Sequence, residues 1–394
     1  MKTVSDSIAP SLSTSSAIRK MFEAGLELKK KFGAENVFDF SLGNPDVPPP
    51  AKTREALARI AQESVRPCGL GYMPNAGLPE LREALACKLT REQALPLSAQ
   101  DIIVTVGAAG ALTVFFRAIL DPGDEVLVTA PYFVEYGAYC GHFGGILKPV
   151  PALQPDFRPD LEAIAAAITP KTRAIIVNSP NNPTGCVYTP DTIAALGELL
   201  QQVNQGRQRP VFLLSDEPYR AIAYDGVQVP PILPASPFAA ILGSFSKSLS
   251  MAGERIGYIA VNPDMPGVEP LRAALVLVNR TLGYVNAPII GQKLALALLD
   301  EQVDLDIYAR RRTAMVEVLR AAGLDFPEPK GAFYIFAKVP DGNDKAFCER
   351  LLQENILAVP GTGFGCPGYI RLCYAVDESI IRRSAPAWLR AVQA

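Results

Sequence analysis

The densest chemical cluster in the chain is Gly243-Ser-Phe-Ser-Lys-Ser-Leu-Ser-Met-Ala-Gly-Glu-Arg-Ile-Gly257. Lys247 follows the apolar run Ala239 to Gly243 and sits among small and hydroxyl residues. A solvated loop lysine fits that spacing equally well. Ser244 and Arg255 tip the reading towards chemistry. A hydroxyl and a guanidinium beside a lysine can hold a phosphate next to an amine, because arginine offers a planar fork of donors. The amine can then form an imine with an aldehyde.

Three further clusters accompany it. Ser215-Asp-Glu-Pro-Tyr-Arg220 ends the apolar run Val211 to Leu214. A carboxylate at the carboxyl end of a buried parallel strand lies where ligands bind in open α/β sheets. Asp216 and Tyr219 can therefore reach one ligand, with a helix N-cap as the plainer role for Asp216. Asn181-Asn-Pro-Thr-Gly185 follows the run Ala174 to Asn178, and by itself it reads as a turn. Val106-Gly-Ala-Ala-Gly110, with Gly107, Ala108 and Ala109, lies at a strand-to-helix junction. Its backbone amides can form an anion site, although close packing explains the small residues as well.

Other motifs fall away. Ser244-Phe-Ser-Lys247 has the Ser-x-x-Lys spacing of penicillin-recognising acyl enzymes, but the Ser-Asp-Asn and Lys-Thr-Gly partners are missing. Gly361-Thr-Gly-Phe-Gly365 leads into Cys366-Pro-Gly368 and a strand, so the helix of a dinucleotide fingerprint is lacking. The single histidine, His142, reads as a helix-end or packing residue, and no site needing two imidazoles can exist. No metal is expected.

Alternating elements must position these clusters. Strand-like runs at Asp101–Gly107, Glu125–Thr129, Gly145–Val150, 174–178, 211–215 and 239–243 are separated by helical stretches such as 108–120, 161–168 and 189–203. Strands apolar on both faces and separated by helices read as a mostly parallel sheet sandwiched by helices. This α/β fold gives a large domain over 49–280. Beyond it lie helical patterns at 268–281, 287–299 and 301–322, two strand-like runs at 332–339 and 369–376, and a helix near 345–355. These predict a smaller α+β domain made of 1–48 with 281–394. Its opening helix, about 16–32, places Ile18, Met21, Phe22 and Gly25 on one side.

Composition bounds the function. At 394 residues and 49% apolar, the chain is long enough for about two or three domains with a substantial core. Thirty-eight Lys plus Arg against 40 Asp plus Glu leave a net charge of −2, which removes the basic footprint of a dedicated nucleic-acid binder. Arg117 interrupts the best apolar run, so no membrane span is expected. The polar stretch from Met1 to Ser16 does not read as a signal peptide. Seven scattered cysteines without a Cys-x-x-Cys pair favour reduced thiols and a cytoplasmic protein.

Taken together, the four clusters resemble the class I/II aminotransferases, the fold-type I enzymes that use pyridoxal 5′-phosphate. The likeness runs from about Phe38 to Ala375, and the combination of Ser-x-Ser-Lys, Gly-x-Arg-x-Gly, Asn-Pro-Thr-Gly and Asp-x-x-Tyr is highly specific. The resemblance implies that Lys247 holds the cofactor through an imine. It also implies that Ser244 and Arg255, with the amides of Gly107, Ala108 and Ala109, bind its phosphate. Asp216 would pair with the ring nitrogen, Asn182 and Tyr219 with the phenolic oxygen, and Phe133 would stack on the ring. Tyr72, in Gly71-Tyr-Met-Pro74, would reach the phosphate of a neighbouring subunit, which implies a homodimer. Arg371 and Gly43, together with Asn182, would take the substrate's carboxylate, and substrate binding is expected to draw the domains together.

The implied activity is transamination between an L-amino acid and a 2-oxo acid with ping-pong kinetics. Where aspartate-specific relatives can carry a lysine, this chain reads Ala108-Ala-Gly-Ala111 and offers no charge. A neutral or broad donor is therefore favoured, with aspartate kept open. A carbon–sulfur β-lyase on the same scaffold is the alternative, since the same carbanion can eliminate a β-substituent. A non-catalytic regulatory protein ranks behind both. Glu254 takes a position where the family often has an aromatic residue.

Overall fold

The computed structural model of the chain describes residues 3–6, 8–9 and 17–393. They divide into two units: one of 45–306 with 330–332, the other of 1–44, 307–329 and 333–394. The first is built on a seven-stranded sheet. Its strands are β1 (Ile102–Thr105), β2 (Glu125–Ala130), β3 (Ile146–Pro151), β4 (Thr172–Asn178), β5 (Phe212–Glu217), β6 (Ala239–Ser244) and β7 (Gly257–Val261). They lie in the order β1-β7-β6-β5-β4-β2-β3. β7 runs antiparallel to both neighbours, while the rest share one direction.

Side chains alternate across a strand, so each strand feeds two cores. Leu213 and Ile241 face a layer shared with helices Thr53–Ser64, Pro79–Gln93, Pro190–Asn204 and Ile289–Ala297. Phe212, Leu214, Ala240 and Leu242 face the opposite layer, with helix Gly107–Ile119 and Leu275 of helix Val268–Thr281. That double burial is why the strands read as continuous apolar runs. Each buried Leu or Ile contributes roughly 1.5–3 kcal/mol relative to exposure. β3 is an edge strand whose Pro149 and Pro151 leave no central ladder unsatisfied.

Two features differ from the sequence expectation. β7 is not among the expected strands; its reversal returns the chain to the edge that β1 and β6 reach, pairing Gly257 with Thr105 and with Ser244. The larger unit also begins at Pro45 and extends to Asp306, where 49–280 is expected. The reason is packing: helix Ile289–Ala297 lies against helices Thr53–Ser64 and Pro79–Gln93 and buries Gly291, Gln292, Leu294 and Ala295.

The other unit carries a three-stranded antiparallel sheet ordered Val359–Pro360, Tyr369–Cys373, Tyr334–Lys338. A short parallel pair, Phe38–Asp39 with Ile356–Leu357, stands apart. Phe40 stacks on Trp388 with ring centres 6.3 Å apart. The opening helix spans Ala17–Phe32, with Gly25 buried. Ser16 and the side chains of Ile18 and Phe22 lie outside the described residues. Among those residues, no helix is long and apolar enough to cross a membrane.

The junction of β6, β7 and the helix at Gly107 is closed by backbone contact. A Cβ on Gly257 would lie 2.5 Å from the carbonyl carbon of Gly107 and 2.5 Å from the carbonyl oxygen of Gly243. No rotamer change relieves a clash with backbone. Gly257→Ala is therefore expected to lower the unfolding free energy by at least about 2 kcal/mol. A urea midpoint within error of the parent protein would refute that packing.

Candidate active site

The parallel strands deliver their last residues to one edge of the sheet, and every cluster singled out in the larger unit except Tyr72 leaves from it. β1 runs through Val106 into helix Gly107–Ile119, β2 into Tyr132 and Phe133, and β4 into Asn181 and Asn182. β5 ends at Asp216 and Glu217 just before Tyr219, and β6 ends at Ser244 before Lys247. Arg255 enters from the start of β7.

Phase along the strands sets which way each group faces. Asp216 continues the Phe212, Leu214 side of β5, towards helix Gly107–Ile119, whereas Glu217 continues the Leu213 side. Asp216 is a strand residue, so the N-cap role does not apply to it. Its carboxyl group is buried: Oδ2 accepts a 2.5 Å bond from the Tyr136 hydroxyl, and Oδ1 has no partner among the described residues. Burial raises the carboxyl to about 7, against the Tyr136 hydrogen bond, which lowers it, while the nearby Glu217 charge raises it further. Burial likewise raises the Tyr136 hydroxyl. Phe133 packs edge-on against Tyr136 at 5.5 Å and 80°.

Asn178 fastens the next two strands. It is the register partner of Asp216 and donates 2.7 Å to that residue's carbonyl, while its own Oδ1 accepts the amide of Asn182 at 2.7 Å. Asn181 Oδ1 accepts the amide and hydroxyl of Thr184, which makes the turn. Asn182 and Tyr219 are both buried, at 5% and 4% exposure. Glu217 is held by the Ser215 hydroxyl at 2.7 Å and Arg220 at 3.1 Å, and Arg220 also reaches the carbonyls of Val229 and Pro230. This second network pins the segment after Tyr219.

The anion-binding parts meet at the helix start. Gly107 has a φ of 75°, and Val106 gives the helix no side-chain cap. A Cβ at Gly107 would lie 2.9 Å from Arg255 Nη2, so only glycine leaves this space beside the guanidinium. Uncapped amides at a helix N-terminus beside an arginine form an anion cradle. Ser244 Oγ lies 3.0 Å from Ser246 Oγ and accepts the Ser246 amide at 3.1 Å. Lys247 is half-buried in the turn that follows β6. Glu254 lies in the short turn Ala252–Glu254, and nothing among the described residues accounts for its carboxylate. His142 is exposed at the end of helix Tyr136–Gly141, as expected of a helix-end residue.

Pyridoxal phosphate fits these residues on two separate observations. Asp216 Oδ1 is buried and unpartnered, as a partner for a protonated ring nitrogen would be. The glycine-lined, uncapped helix start beside Arg255 suits a phosphate.

Three expected residues are carried by other segments of the chain. Tyr72 is 93% exposed. In the smaller unit, a Cβ on Gly43 would lie 2.0 Å from the Tyr334 hydroxyl oxygen. Arg371, on the central strand and 2% exposed, donates to the Ser41 carbonyl and lies 4.9 Å from the ring centres of Tyr334 and Phe364. Tyr136 and Asn178, which hold Asp216 and the turn of Asn182, are not singled out by the sequence. A signal for Asn178 existed, because a polar residue ends β4 as Asp216 nearly ends β5. Tyr136 offered none, being 80 positions from its partner.

Residues 35–386 match the family described as aminotransferase class I and II. The chain is 36% identical over 380 residues to a probable aspartate/prephenate aminotransferase of Thermus aquaticus, covering 93% of this chain and 94% of that one. It is 34% identical over 349 residues to an aspartate aminotransferase of Thermotoga maritima, covering 87% of this chain and 88% of that one. Among solved structures, an aminotransferase of Eubacterium rectale superposes with a TM-score of 0.96 at 37% identity, covering 100% of this chain and 99% of that one. The aspartate aminotransferase of Thermus thermophilus with maleate gives 0.86 at 33% identity, covering 99% and 100%.

The buried carboxyl has a measurable signature in the cofactor-free protein. The folded chain keeps the Asp216 proton up to about 7, whereas an unfolded chain loses it near pH 4. Between those values the folded state binds more protons, so this group makes stability fall as pH rises from about 4 to about 7. Asp216→Asn removes that contribution. The difference in unfolding free energy between the two proteins should therefore change by up to about 4 kcal/mol across the window. A difference independent of pH in urea titrations would show that Asp216 is not held protonated by burial.

Proposed function

Because the chain belongs to the class I and II aminotransferases, which are pyridoxal 5′-phosphate enzymes, we propose that it passes the amino group of an L-amino acid to a 2-oxo acid in two half-reactions of a ping-pong scheme. The cofactor supplies, when bound, an aldehyde for the amine and an electron sink for the charge developing at Cα. The remainder falls to the protein. Lys247 would hold the cofactor covalently, and its amine, when free, would take up the proton leaving the substrate's Cα and give it back. Asp216 keeps the ring nitrogen protonated; its unpartnered Oδ1 is the observation that carries this reading.

Ser244, Arg255 and the amides of Gly107, Ala108 and Ala109 bind the phosphate. Phe133 stacks on the ring, while Asn182 and Tyr219 hold its phenolic oxygen. Arg371 grips the α-carboxylate with Gly43 and Asn182. The Ser41 carbonyl and two aromatic faces already orient its guanidinium, so little ordering remains to be done on binding. Tyr72, exposed on its own chain, reaches the phosphate of a second copy in a homodimer.

The donor is read as neutral or broad, because Ala108-Ala-Gly-Ala111 brings no cation to a second carboxylate. The relatives named for aspartate favour a dicarboxylic donor instead. Mixing holoenzyme with single amino acids and following the cofactor's absorbance separates the two. Neutral amino acids should react at rates comparable with aspartate; reaction with aspartate and glutamate alone overturns the neutral reading. Borohydride treatment should fix the cofactor to the peptide containing Lys247, and a colourless, unmodified protein would sink the assignment. Arg371→Lys should lower kcat/KM about 100-fold or more through loss of the paired grip, with cofactor loading unchanged.

A further inference from the structure

Tyr72 is 93% exposed, yet the chain on both sides of it is tightly held. Gln292, fully buried in helix Ile289–Ala297, uses both ends of its amide. Its Nε2 donates to the Ala287 carbonyl at 2.7 Å and to Met73 Sδ at 3.0 Å, and its Oε1 accepts the amide of Leu78 at 2.8 Å. Asn286 donates to the Pro74 carbonyl at 2.9 Å, and Asn75 donates to the Val285 carbonyl at 3.2 Å. Before Tyr72, Lys293 bonds the Gly69 carbonyl at 3.4 Å and Glu63 at 3.1 Å. At Gly77, with φ of 105°, a Cβ would lie 2.5 Å from Val104 and 3.1 Å from Gln292 Oε1, so the arm passes with no slack.

Ordering a backbone costs conformational entropy at every residue held. Spending it on the arm of a side chain that leaves its own chain makes sense when that side chain must meet something outside at a set place. A tyrosine is suited to that, being rigid, broad and able to donate from its tip. Gln292 has no exposure and cannot itself touch another molecule. Its influence must pass through the arm, which it grips at the residue after Tyr72 and again at Leu78.

We propose that Gln292 is a positioning residue, locking the 69–78 arm so that Tyr72 is presented ready-made to the phosphate site of a second copy of this chain. This rests on the reading of Tyr72 given above. Preformed placement removes the ordering cost at the moment of assembly, so the benefit appears as tighter cofactor retention.

A double-mutant cycle on reloading of the cofactor-stripped protein with pyridoxal phosphate tests it, with urea midpoints and sedimentation recorded alongside. Tyr72→Phe should weaken cofactor affinity about tenfold or more, the loss of one bond to a charged group. Gln292→Met, close in volume, should weaken it about fivefold, and the double variant should be no weaker than Tyr72→Phe alone. Additive losses would mean that Gln292 acts generally on the fold and would overturn the proposal. Unchanged affinity in Gln292→Met alone would overturn it while leaving the role of Tyr72 intact. Unchanged affinity in Tyr72→Phe would remove the reading of Tyr72 and the proposal with it. Should Gln292→Met fail to fold, Asn286→Ala, which frees Pro74 from a half-buried site, enters the same cycle with the same expectations.

Discussion

A carboxylate sealed inside a protein is costly unless charge or hydrogen bonds meet it, and Asp216 is met on one oxygen only. Much of the larger unit's site can be understood as the enclosure of that group. The alternation of β5 turns Asp216 towards the helix that begins at Gly107, and Tyr136 closes over one oxygen. Asn178 then ties the strand end to the turn that carries Asn182. What remains open is one oxygen with a strong preference for a cation. A protonated pyridine nitrogen would satisfy it, and that pairing would let the cofactor act as an electron sink.

Close backbone approach is the second constraint. Gly257 lets β6, β7 and the helix start meet backbone to backbone, while Gly243 leaves room for the Tyr258 ring and Gly107 for the Arg255 guanidinium. This brings the guanidinium of Arg255 against the first turn of the helix, where uncapped amides face outward. Positive charge and oriented dipoles thus converge on one point from elements separated widely in sequence. The same economy recurs at the 69–78 arm, where the side-chain amides of Asn279, Asn286 and Gln292 take the place of sheet hydrogen bonds in holding an irregular segment.

Much of the fold was legible because the strands are buried on both faces. Double burial writes each one as an apolar run, and the helices between them are long enough to show their own period. β7 escaped because it begins inside a motif rich in small residues, and its reversed direction depends on pairing with two strands distant in sequence. The unit boundary escaped for a related reason. Helix Ile289–Ala297 has the texture of its successors, and only its packing against helices Thr53–Ser64 and Pro79–Gln93 assigns it to the larger unit.

The sequence alone determined the kind of chemistry. Lysine, serine, arginine and aspartate announce themselves in short motifs at strand ends, because a strand end is a local event and so is the turn that follows. The tertiary structure decided how those groups are tuned. Which oxygen of Asp216 is left open, why its proton is held, how Arg371 is aimed within its sheet and what stiffens the arm of Tyr72 all follow from partners remote in the chain. Burial and hydrogen-bond pairing are properties of long-range contact, and no spacing along a single strand of sequence encodes them.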